Sequence, residues 1–302
     1  MKLRNAVSFA GLFAMMMVAI PSTAFADAFS SVIVYGDSLS DNGNLYNAIG
    51  YPPSPPYYMG RFSNGPVAVE QLAATLGVPL FDFAFGGATS GIGNYVDGGT
   101  QTSPGAFGLP GMQVELAISA PLLASPLVPS SLFVVWGGAN DFLSGGSPLV
   151  AAGNIDGIVA TLEADGATHI LVPGIPDLGL TPDFYGDPVA TEYAEEFNAA
   201  LLAGLPPGAT YVNTFALLHK IVSDPGAYGI TNTTTPCLPS LVSTPCLDPS
   251  DYLFWDGFHP TTTVDSVVAA DFLASTTPEP SSLVLLSTGA AGLVMRLRRK
   301  KA

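Results

Sequence analysis

Basic side chains are scarce in this chain of 302 residues, which has nine Lys and Arg residues against 24 Asp and Glu residues. Only Arg61 and Lys220 lie between residues 27 and 280, and all 24 acidic residues lie there, which gives that stretch a net charge of −22. Nucleic acids and anionic membrane surfaces are bound mainly through Lys and Arg. We therefore exclude nucleic acid as a partner.

Charged residues of both signs are few as well, at 11% of the chain, whereas 48% of the residues are hydrophobic. Intrinsically disordered chains have the opposite composition. The roughly 250 residues between the two ends are enough to bury one good core. The composition thus predicts a single folded domain over residues 27–277.

Cysteine is nearly absent, since Cys237 and Cys246 are the only two, in a stretch rich in Thr, Ser and Pro. A zinc site needs three or four ligands, and no His lies within about fifteen residues before Cys237. In an oxidising compartment the two cysteines can form a disulfide that closes a ten-residue loop. In the chain-entropy model such a disulfide adds roughly 2.5 to 3 kcal/mol to the free energy of unfolding. We expect this disulfide and no metal; two free thiols are the alternative.

The first 26 residues have the pattern of a secretory signal peptide. A basic start precedes an apolar run from Ala10 to Ile20, then Pro21 and the small-residue pattern Ala24-Phe25-Ala26. This pattern predicts removal of residues 1–26 by signal peptidase; the alternative is a buried N-terminal helix.

The other end, residues 278–302, combines Pro278-Glu279-Pro280, an uncharged apolar segment over 281–295 and a basic tail. Fifteen helical residues span only about 22 Å, less than the roughly 30 Å of a bilayer core. The pattern resembles the bacterial PEP-CTERM sorting signal, which implies recognition and removal by an exosortase. We therefore expect transient inner-membrane association through 281–295 and an extracellular, cell-surface or matrix location. An ordinary weak tail anchor is the alternative.

Between the ends, short apolar runs alternate with stretches of helical periodicity, which is typical of an α/β domain with a parallel sheet covered on both faces. The predicted strands are Ser31–Tyr35, Pro79–Phe85, Leu132–Trp136, His169–Pro173 and Thr210–Phe215. The predicted helices are Val67–Leu76, Met112–Leu123, Ile155–Ala164, Thr191–Leu202 and Thr263–Ala274. Two irregular stretches, Gly50–Gly60 and Gly226–Asp251, are candidate pocket walls or solvated connections.

The first predicted strand leads directly into Gly36-Asp37-Ser38-Leu39. A serine just past a buried strand can be rigid and exposed, as a nucleophile must be, although an Asx or Ser turn explains the segment equally well. A calcium loop is excluded, because counting from Asp37 puts Asn42 and Ala48 where Gly and Glu are required.

A serine nucleophile needs a base, normally a His oriented by a carboxylate. Of the three histidines, His169 starts a strand and His219 lies in an apolar helical stretch, so both have structural explanations. His259 follows Asp256 by three residues, and one tight turn can set that carboxylate against the imidazole.

Two glycine-rich loops follow the second and third predicted strands, Gly86-Gly87 and Gly138-Ala139-Asn140-Asp141. Glycine N–H groups and an Asn amide are suitable donors to an oxyanion. Taken singly, each loop is also an ordinary turn.

Taken together, these four segments resemble the SGNH/GDSL hydrolase family, and the segment Gly60–Pro66 resembles its secreted lipase, phospholipase and haemolysin-like branch. The resemblance implies a three-layer α/β/α, flavodoxin-like fold with a five-stranded parallel sheet, and ester hydrolysis without metal or organic cofactor.

By resemblance, Ser38 would be the nucleophile, His259 the base and Asp256 its orienting partner. Ser38, Asn140 and one of Gly86 and Gly87 would form the oxyanion hole. The family motif has one glycine that can be aligned with either of these two neighbours, so both stay candidates. The expected function is a secreted esterase or lipase with an acyl-enzyme on Ser38. The alternatives are an O-acetyl esterase acting on matrix polysaccharide, and a non-catalytic surface protein with the same fold.

Overall fold

A computed structural model describes residues 29–276, and within them all five predicted strands are present. The strands are β1 (Val32–Gly36), β2 (Leu80–Asp82), β3 (Leu132–Trp136), β4 (His169–Pro173) and β5 (Ala209–Val212). They form one parallel sheet in the order β2-β1-β3-β4-β5. The predicted α/β fold with a five-stranded parallel sheet is confirmed.

The helices of this range cover both faces of the sheet. They are α1 (Asn44–Ile49), α2 (Ala68–Leu76), α3 (Met112–Ile118), α4 (Ala120–Leu123), α5 (Ala139–Leu143), α6 (Pro148–Ala164), α7 (Pro188–Gly204), α8 (Thr214–Ser223) and α9 (Thr262–Thr276). Alternate side chains of each strand point to opposite faces. Ile33 and Tyr35 pack with α3, α6 and α7, whereas Val32 and Val34 pack with α2 and α9. This arrangement produces three layers with two cores.

Three predicted elements end earlier than expected. The strand predicted over Pro79–Phe85 ends at Asp82, whose Oδ1 accepts a hydrogen bond from the Ala84 N–H. The run Thr210–Phe215 stops being a strand at Val212, because the Asn213 side chain accepts a hydrogen bond from the Ala216 N–H and begins α8. The helix predicted over Met112–Leu123 divides into α3 and α4. Pro121 lacks the N–H needed to continue the first helix.

The strand order places the carboxyl ends of β1 and β3 side by side, with β2 on the far side of β1. In an open α/β sheet, ligands bind beyond the carboxyl ends where the winding reverses. Ser38 follows β1 and Asn140 follows β3, so both belong to this crevice.

The disulfide expected between Cys237 and Cys246 is present. The signal peptide 1–26, the domain boundaries at 27 and 277, and the sorting segment 278–302 lie outside the described residues. The signal peptide and the two boundaries stay predictions. Within 29–276, no helix has both the length and the apolar character needed to cross a bilayer.

Candidate active site

A tight turn after β1 presents Ser38. The backbone carbonyl of Asp37 accepts from the N–H groups of Ser40 and Asp41, and the Asp37 side chain accepts from the Leu39 N–H at 3.0 Å. This Asx turn was the ordinary structural explanation for the segment. The turn is present, and it holds Ser38 with its hydroxyl facing a histidine.

The side chains of Ser38, His259 and Asp256 form one hydrogen-bonded line. His259 Nε2 lies 2.7 Å from Ser38 Oγ, and His259 Nδ1 lies 2.8 Å from Asp256 Oδ1. The four-residue turn predicted for Asp256 and His259 is closed by Asp256 Oδ1, which also accepts from the N–H groups of Phe258 and His259. Ser38 and His259 are 221 residues apart in sequence.

Asp256 is buried but charged. Burial alone would raise its pKa, yet the His259 charge and hydrogen bonds from His259 and from the backbone bring the pKa of Asp256 below its ordinary value. Tyr57 Oη donates a further hydrogen bond to Asp256 Oδ2 at 2.7 Å. Burial and the Asp256 charge raise the pKa of Tyr57, so its hydroxyl keeps its proton and acts as a donor.

Sequence reasoning missed Tyr57, although it identified the stretch Gly50–Gly60 as a candidate pocket wall. A tyrosine in a proline-rich loop has no local sign of a partner 199 residues away. The second irregular stretch, Gly226–Asp251, supplies no wall of the active-site pocket. Its Cys237 and Leu238 pack instead in a cluster with Tyr57 and Trp255, which supports the turn of Asp256.

The segment Gly60–Pro66 packs against the turn that carries His259. The Phe62 ring lies against the His259 imidazole with centroids 4.8 Å apart. Ser63 Oγ donates to the backbone carbonyl of Pro260 at 3.0 Å, and Asn64 Oδ1 accepts from the Thr262 N–H at 2.9 Å. These contacts hold the segment Gly60–Pro66 against the turn that carries His259.

The two glycines of the second loop differ in their contacts. The Gly86 N–H already donates to Asp41 Oδ2 at 2.7 Å, whereas Gly87 lines the pocket that contains Ser38. Gly87 has a positive φ of 81°, and a side chain there would collide with Asn94 and Val96. Only glycine fits at this position.

Asn140 and Asp141 at the start of α5 have different environments. Asn140 Nδ2 donates one hydrogen bond to the Ala88 carbonyl at 3.1 Å, which leaves its second N–H for the pocket that Asn140 lines. Asp141 is buried and accepts from the N–H and hydroxyl of Ser90 at 2.9 and 2.8 Å. Asp141 therefore ties the second loop to the third.

The other two histidines lie away from this line of residues. His219 Nε2 is 2.9 Å from Asp177 Oδ2, and His169 packs edge-on against Phe29. Across residues 29–276, no group of three or more His, Cys, Asp or Glu side chains is arranged to hold a metal ion.

A cavity of about 170 Å³ opens over Ser38. Its wall contains Ser38, Asn140 and His259, but apolar and aromatic side chains make up most of it, including Leu39 and Phe258. Small-molecule sites in proteins are commonly lined in this way, with a few polar groups in a mostly apolar wall.

A parallel α/β sheet with linked Ser, His and Asp side chains at its carboxyl edge has the architecture of a serine hydrolase. The chain belongs to the GDSL-like lipase/acylhydrolase family, whose model matches residues 32–272. The PEP-CTERM protein-sorting motif matches residues 276–300. Both resemblances drawn from the sequence are confirmed.

Several relatives are similar over most of this chain. A phosphatidylcholine-sterol acyltransferase of Aeromonas hydrophila is 32% identical over 70% of this chain and 66% of its own length. A thermolabile hemolysin of Vibrio parahaemolyticus is 29% identical over 82% of this chain and 64% of its own length. The esterase EstA of Pseudomonas aeruginosa is 30% identical over 87% of this chain and 49% of its own length. The chain thus spans about half to two thirds of the length of these curated relatives.

Among solved structures, a lipolytic protein of the G-D-S-L family from Veillonella parvula is 15% identical with a TM-score of 0.46, covering 81% of this chain and 96% of that one. An acetylxylan esterase from Geobacillus stearothermophilus is 12% identical with a TM-score of 0.48, and the match covers 83% of this chain and 95% of that one.

Proposed function

We propose that this family hydrolase is a serine esterase that forms an acyl-enzyme on Ser38. The observation that carries the proposal is the 2.7 Å contact between Ser38 Oγ and His259 Nε2, with Asp256 on the other imidazole nitrogen. A serine hydroxyl becomes a useful nucleophile when a positioned base removes its proton.

In the first step, His259 Nε2 takes the hydroxyl proton as Ser38 Oγ attacks the ester carbonyl. The resulting imidazolium carries its second proton on Nδ1, which faces Asp256. The depressed pKa of Asp256 keeps that carboxylate charged, so it stabilises the imidazolium and fixes the tautomer.

The tetrahedral oxyanion is stabilised by three donors: the N–H groups of Ser38 and Gly87 and the free N–H of Asn140. We assign Gly87 rather than Gly86, because the Gly86 N–H is already bonded to Asp41. Removal of one such donor typically lowers kcat by about a hundredfold or more.

His259 then donates its proton to the leaving alcohol, and the acyl group remains on Ser38. In the second half-reaction His259 takes a proton from water as the water oxygen attacks the acyl carbonyl. The bond between the acyl carbon and Ser38 Oγ then breaks, His259 returns the proton to Ser38 Oγ, and the free acid leaves. Every proton transfer uses His259, so this route employs side chains of this chain alone.

The apolar pocket wall supports an ester with a hydrocarbon chain, such as an acyl lipid, over an acetylated polysaccharide. Acetate release from acetylated polysaccharide, compared with fatty-acid release from a neutral lipid, distinguishes these substrates. A fluorophosphonate that labels wild type at Ser38 argues against a non-catalytic surface protein.

The test of the proposal is hydrolysis of p-nitrophenyl acetate by the wild type, by Ser38→Ala and by Ser40→Ala. We expect Ser38→Ala to lose about three orders of magnitude or more in kcat, while Ser40→Ala, a control in the same turn, keeps its activity. Equal rates for wild type and Ser38→Ala would contradict the proposal.

We also propose that this enzyme is exported and sorted, because the PEP-CTERM motif marks exosortase-sorted proteins. Signal peptidase would cut after Ala26, and an exosortase would remove the segment that follows the domain. Intact-mass measurement of the mature protein checks both cuts: the expected chain begins at Asp27 and lacks the apolar segment 281–295.

A further inference from the structure

A second cavity, of about 60 Å³, adjoins the active-site pocket. The two cavities share four lining residues, Leu39, Pro176, Thr181 and Phe258. Leu39 directly follows the proposed nucleophile in sequence and Phe258 directly precedes the proposed base. The shared wall therefore lies beside the reacting atoms.

The rest of the second cavity is built from side chains of α8 and α9, from the strand-end residue Trp136, and from Leu253, Phe254 and Pro260 in the segment before α9. Leu217 and Ile221 contribute from α8, and Val264 and Val268 contribute from α9. No Asp, Glu, Lys, Arg or His is among the described residues that line it.

The few polar groups in this wall are already bonded elsewhere. Thr181 Oγ1 donates to the Leu178 carbonyl at 2.6 Å. Thr214 Oγ1 and Trp136 Nε1 both donate to the Gly174 carbonyl, the latter at 3.0 Å. A buried water needs two to four polar partners, so this cavity favours an apolar occupant over water.

Its size limits the shape of that occupant. The volume exceeds the roughly 15 Å³ that a single water requires, but it is well below the roughly 150 Å³ of a cavity that binds benzene. A slender chain segment fits, and an aromatic ring does not.

We propose that this cavity, which we call the alkyl pocket, receives the unbranched hydrocarbon chain of the ester substrate. The proposal rests on the proposed esterase function and adds a chain-length preference to it. The chain can belong to the acyl or to the alcohol part of the ester, and two substrate series distinguish them. Each methylene buried there should raise kcat/KM about fourfold until the pocket is filled.

The test compares wild type, Val264→Phe, Val264→Ala and Val222→Phe. Val264 lines the alkyl pocket but not the active-site pocket, and it is 3% exposed. Val222 packs against the same hydrophobic cluster without lining either cavity, so Val222→Phe is the matched control. One substrate series lengthens the acyl chain of p-nitrophenyl esters, and the other lengthens the alcohol of acetate esters.

We expect kcat/KM of wild type to rise about fourfold per methylene over the first few carbons of one series. Val264→Phe should abolish that rise, and its kcat/KM for the shortest acetate ester should stay within about twofold of the wild-type value. Val264→Ala should extend the rise to longer chains, and Val222→Phe should match wild type. An unchanged chain-length profile in both Val264 variants, with wild-type rates on the shortest ester, would overturn the proposal.

If the wild type hydrolyses no ester, the esterase function fails while the pocket can still be tested by binding. Calorimetry with 1-butanol, 1-hexanol and 1-octanol then compares wild type with Val264→Phe. Affinity that increases with chain length in wild type and is lost in Val264→Phe supports the alkyl pocket. Equal affinities in the two proteins overturn it.

Discussion

At the scale of single residues, the carboxylate of Asp256 accepts hydrogen bonds from four donors. It accepts from His259, from two backbone N–H groups and from Tyr57. Bonds to the charged form of a carboxylate lower its pKa. Because Tyr57 and Asp256 are far apart in sequence, only the folded chain can give this carboxylate its fourth donor.

Tyr57→Phe removes that donor and leaves the ring in place. We expect the pKa of Asp256 to rise, and kcat measured over a range of pH to fall more than KM changes, because the carboxylate that orients His259 loses a donor. A hydrogen bond to a charged group contributes about 1.5 to 3 kcal/mol to the free energy of unfolding. Because the pKa of Asp256 is depressed in the fold, this contribution is present at neutral pH and lost as pH falls through that pKa.

Tyr58→Phe is the matched control, because Tyr58 is an exposed neighbour whose ring lies near Arg61. A pH profile of Tyr57→Phe that coincides with those of wild type and Tyr58→Phe would contradict the positioning role of the Tyr57 hydroxyl.

Asp37 is a second residue whose ionisation the fold controls. It is 1% exposed, and its Oδ2 has no hydrogen-bond partner within residues 29–276. Burial raises the pKa of Asp37 to about 6. The native state therefore holds a proton that the unfolded chain releases at about pH 4, so ionisation of Asp37 costs stability as pH rises from about 4 to 6.

Asp37→Asn removes this cost, since the amide oxygen can still accept from the Leu39 N–H. The free energy of unfolding of the variant, relative to wild type, should increase between pH 4 and pH 7 by on the order of 3 kcal/mol. Urea unfolding at both pH values measures it, and comparison across pH cancels the constant cost of the substitution. A difference that stays the same at both values would show that Asp37 has an ordinary pKa.

At the scale of elements, the site depends on loops that hold one another. Asp41, after β1, binds the Gly86 N–H after β2. Asp141, at the start of α5, binds Ser90 in the loop that also contains Gly87. Asn64 binds the first residue of α9, just past the His259 turn. Each loop therefore has its position fixed by a side chain from another loop.

Asn64→Ala tests this mutual support at the start of α9. Loss of the bond to the Thr262 N–H should lower the free energy of unfolding by about 1 kcal/mol, as for other helix N-terminal caps. Asn47→Ala, at an exposed position of α1, is the control and should stay within about 0.5 kcal/mol of wild type. If both variants unfold at the same denaturant concentration, the Asn64 contact is not stabilising.

At the scale of the whole molecule, the acidic side chains divide into a buried group and a surface group. Among residues 29–276, eight acidic side chains are buried, namely Asp37, Asp41, Asp97, Glu115, Asp141, Asp177, Asp256 and Asp265. Of the basic residues, Arg61 is paired with Glu70 at 2.7 Å. The remaining acids make the surface negative, which repels anionic substrates over distances of about a Debye length.

The charge predicts a substrate preference that depends on salt. At low ionic strength, a neutral ester should be hydrolysed faster than an anionic ester of matched chain length, and the ratio of their kcat/KM values should shrink as salt is added. Faster hydrolysis of the anionic ester at low salt would contradict this expectation.

The strands and most of the long helices were predictable, because apolar periodicity records which residues are buried and α/β alternation leaves few topologies. Helix α8 was expected only as the helical stretch around His219, and its first two residues, Thr214 and Phe215, were assigned to the strand before it. The Ser, His and Asp of the site were predictable because the Asp256-His259 turn is local and the serine follows a strand.

The sequence by itself determined the α/β class, the three residues of the hydrogen-bonded line, the cysteine pair and the C-terminal sorting motif, since all of these depend on composition, spacing or a recognisable motif. Only the tertiary structure decided that the Gly86 N–H donates to Asp41, that the Tyr57 hydroxyl donates to Asp256 and that α8 and α9 line a second cavity. Those features depend on where distant segments meet, and packing in three dimensions sets that distance whereas separation along the chain does not.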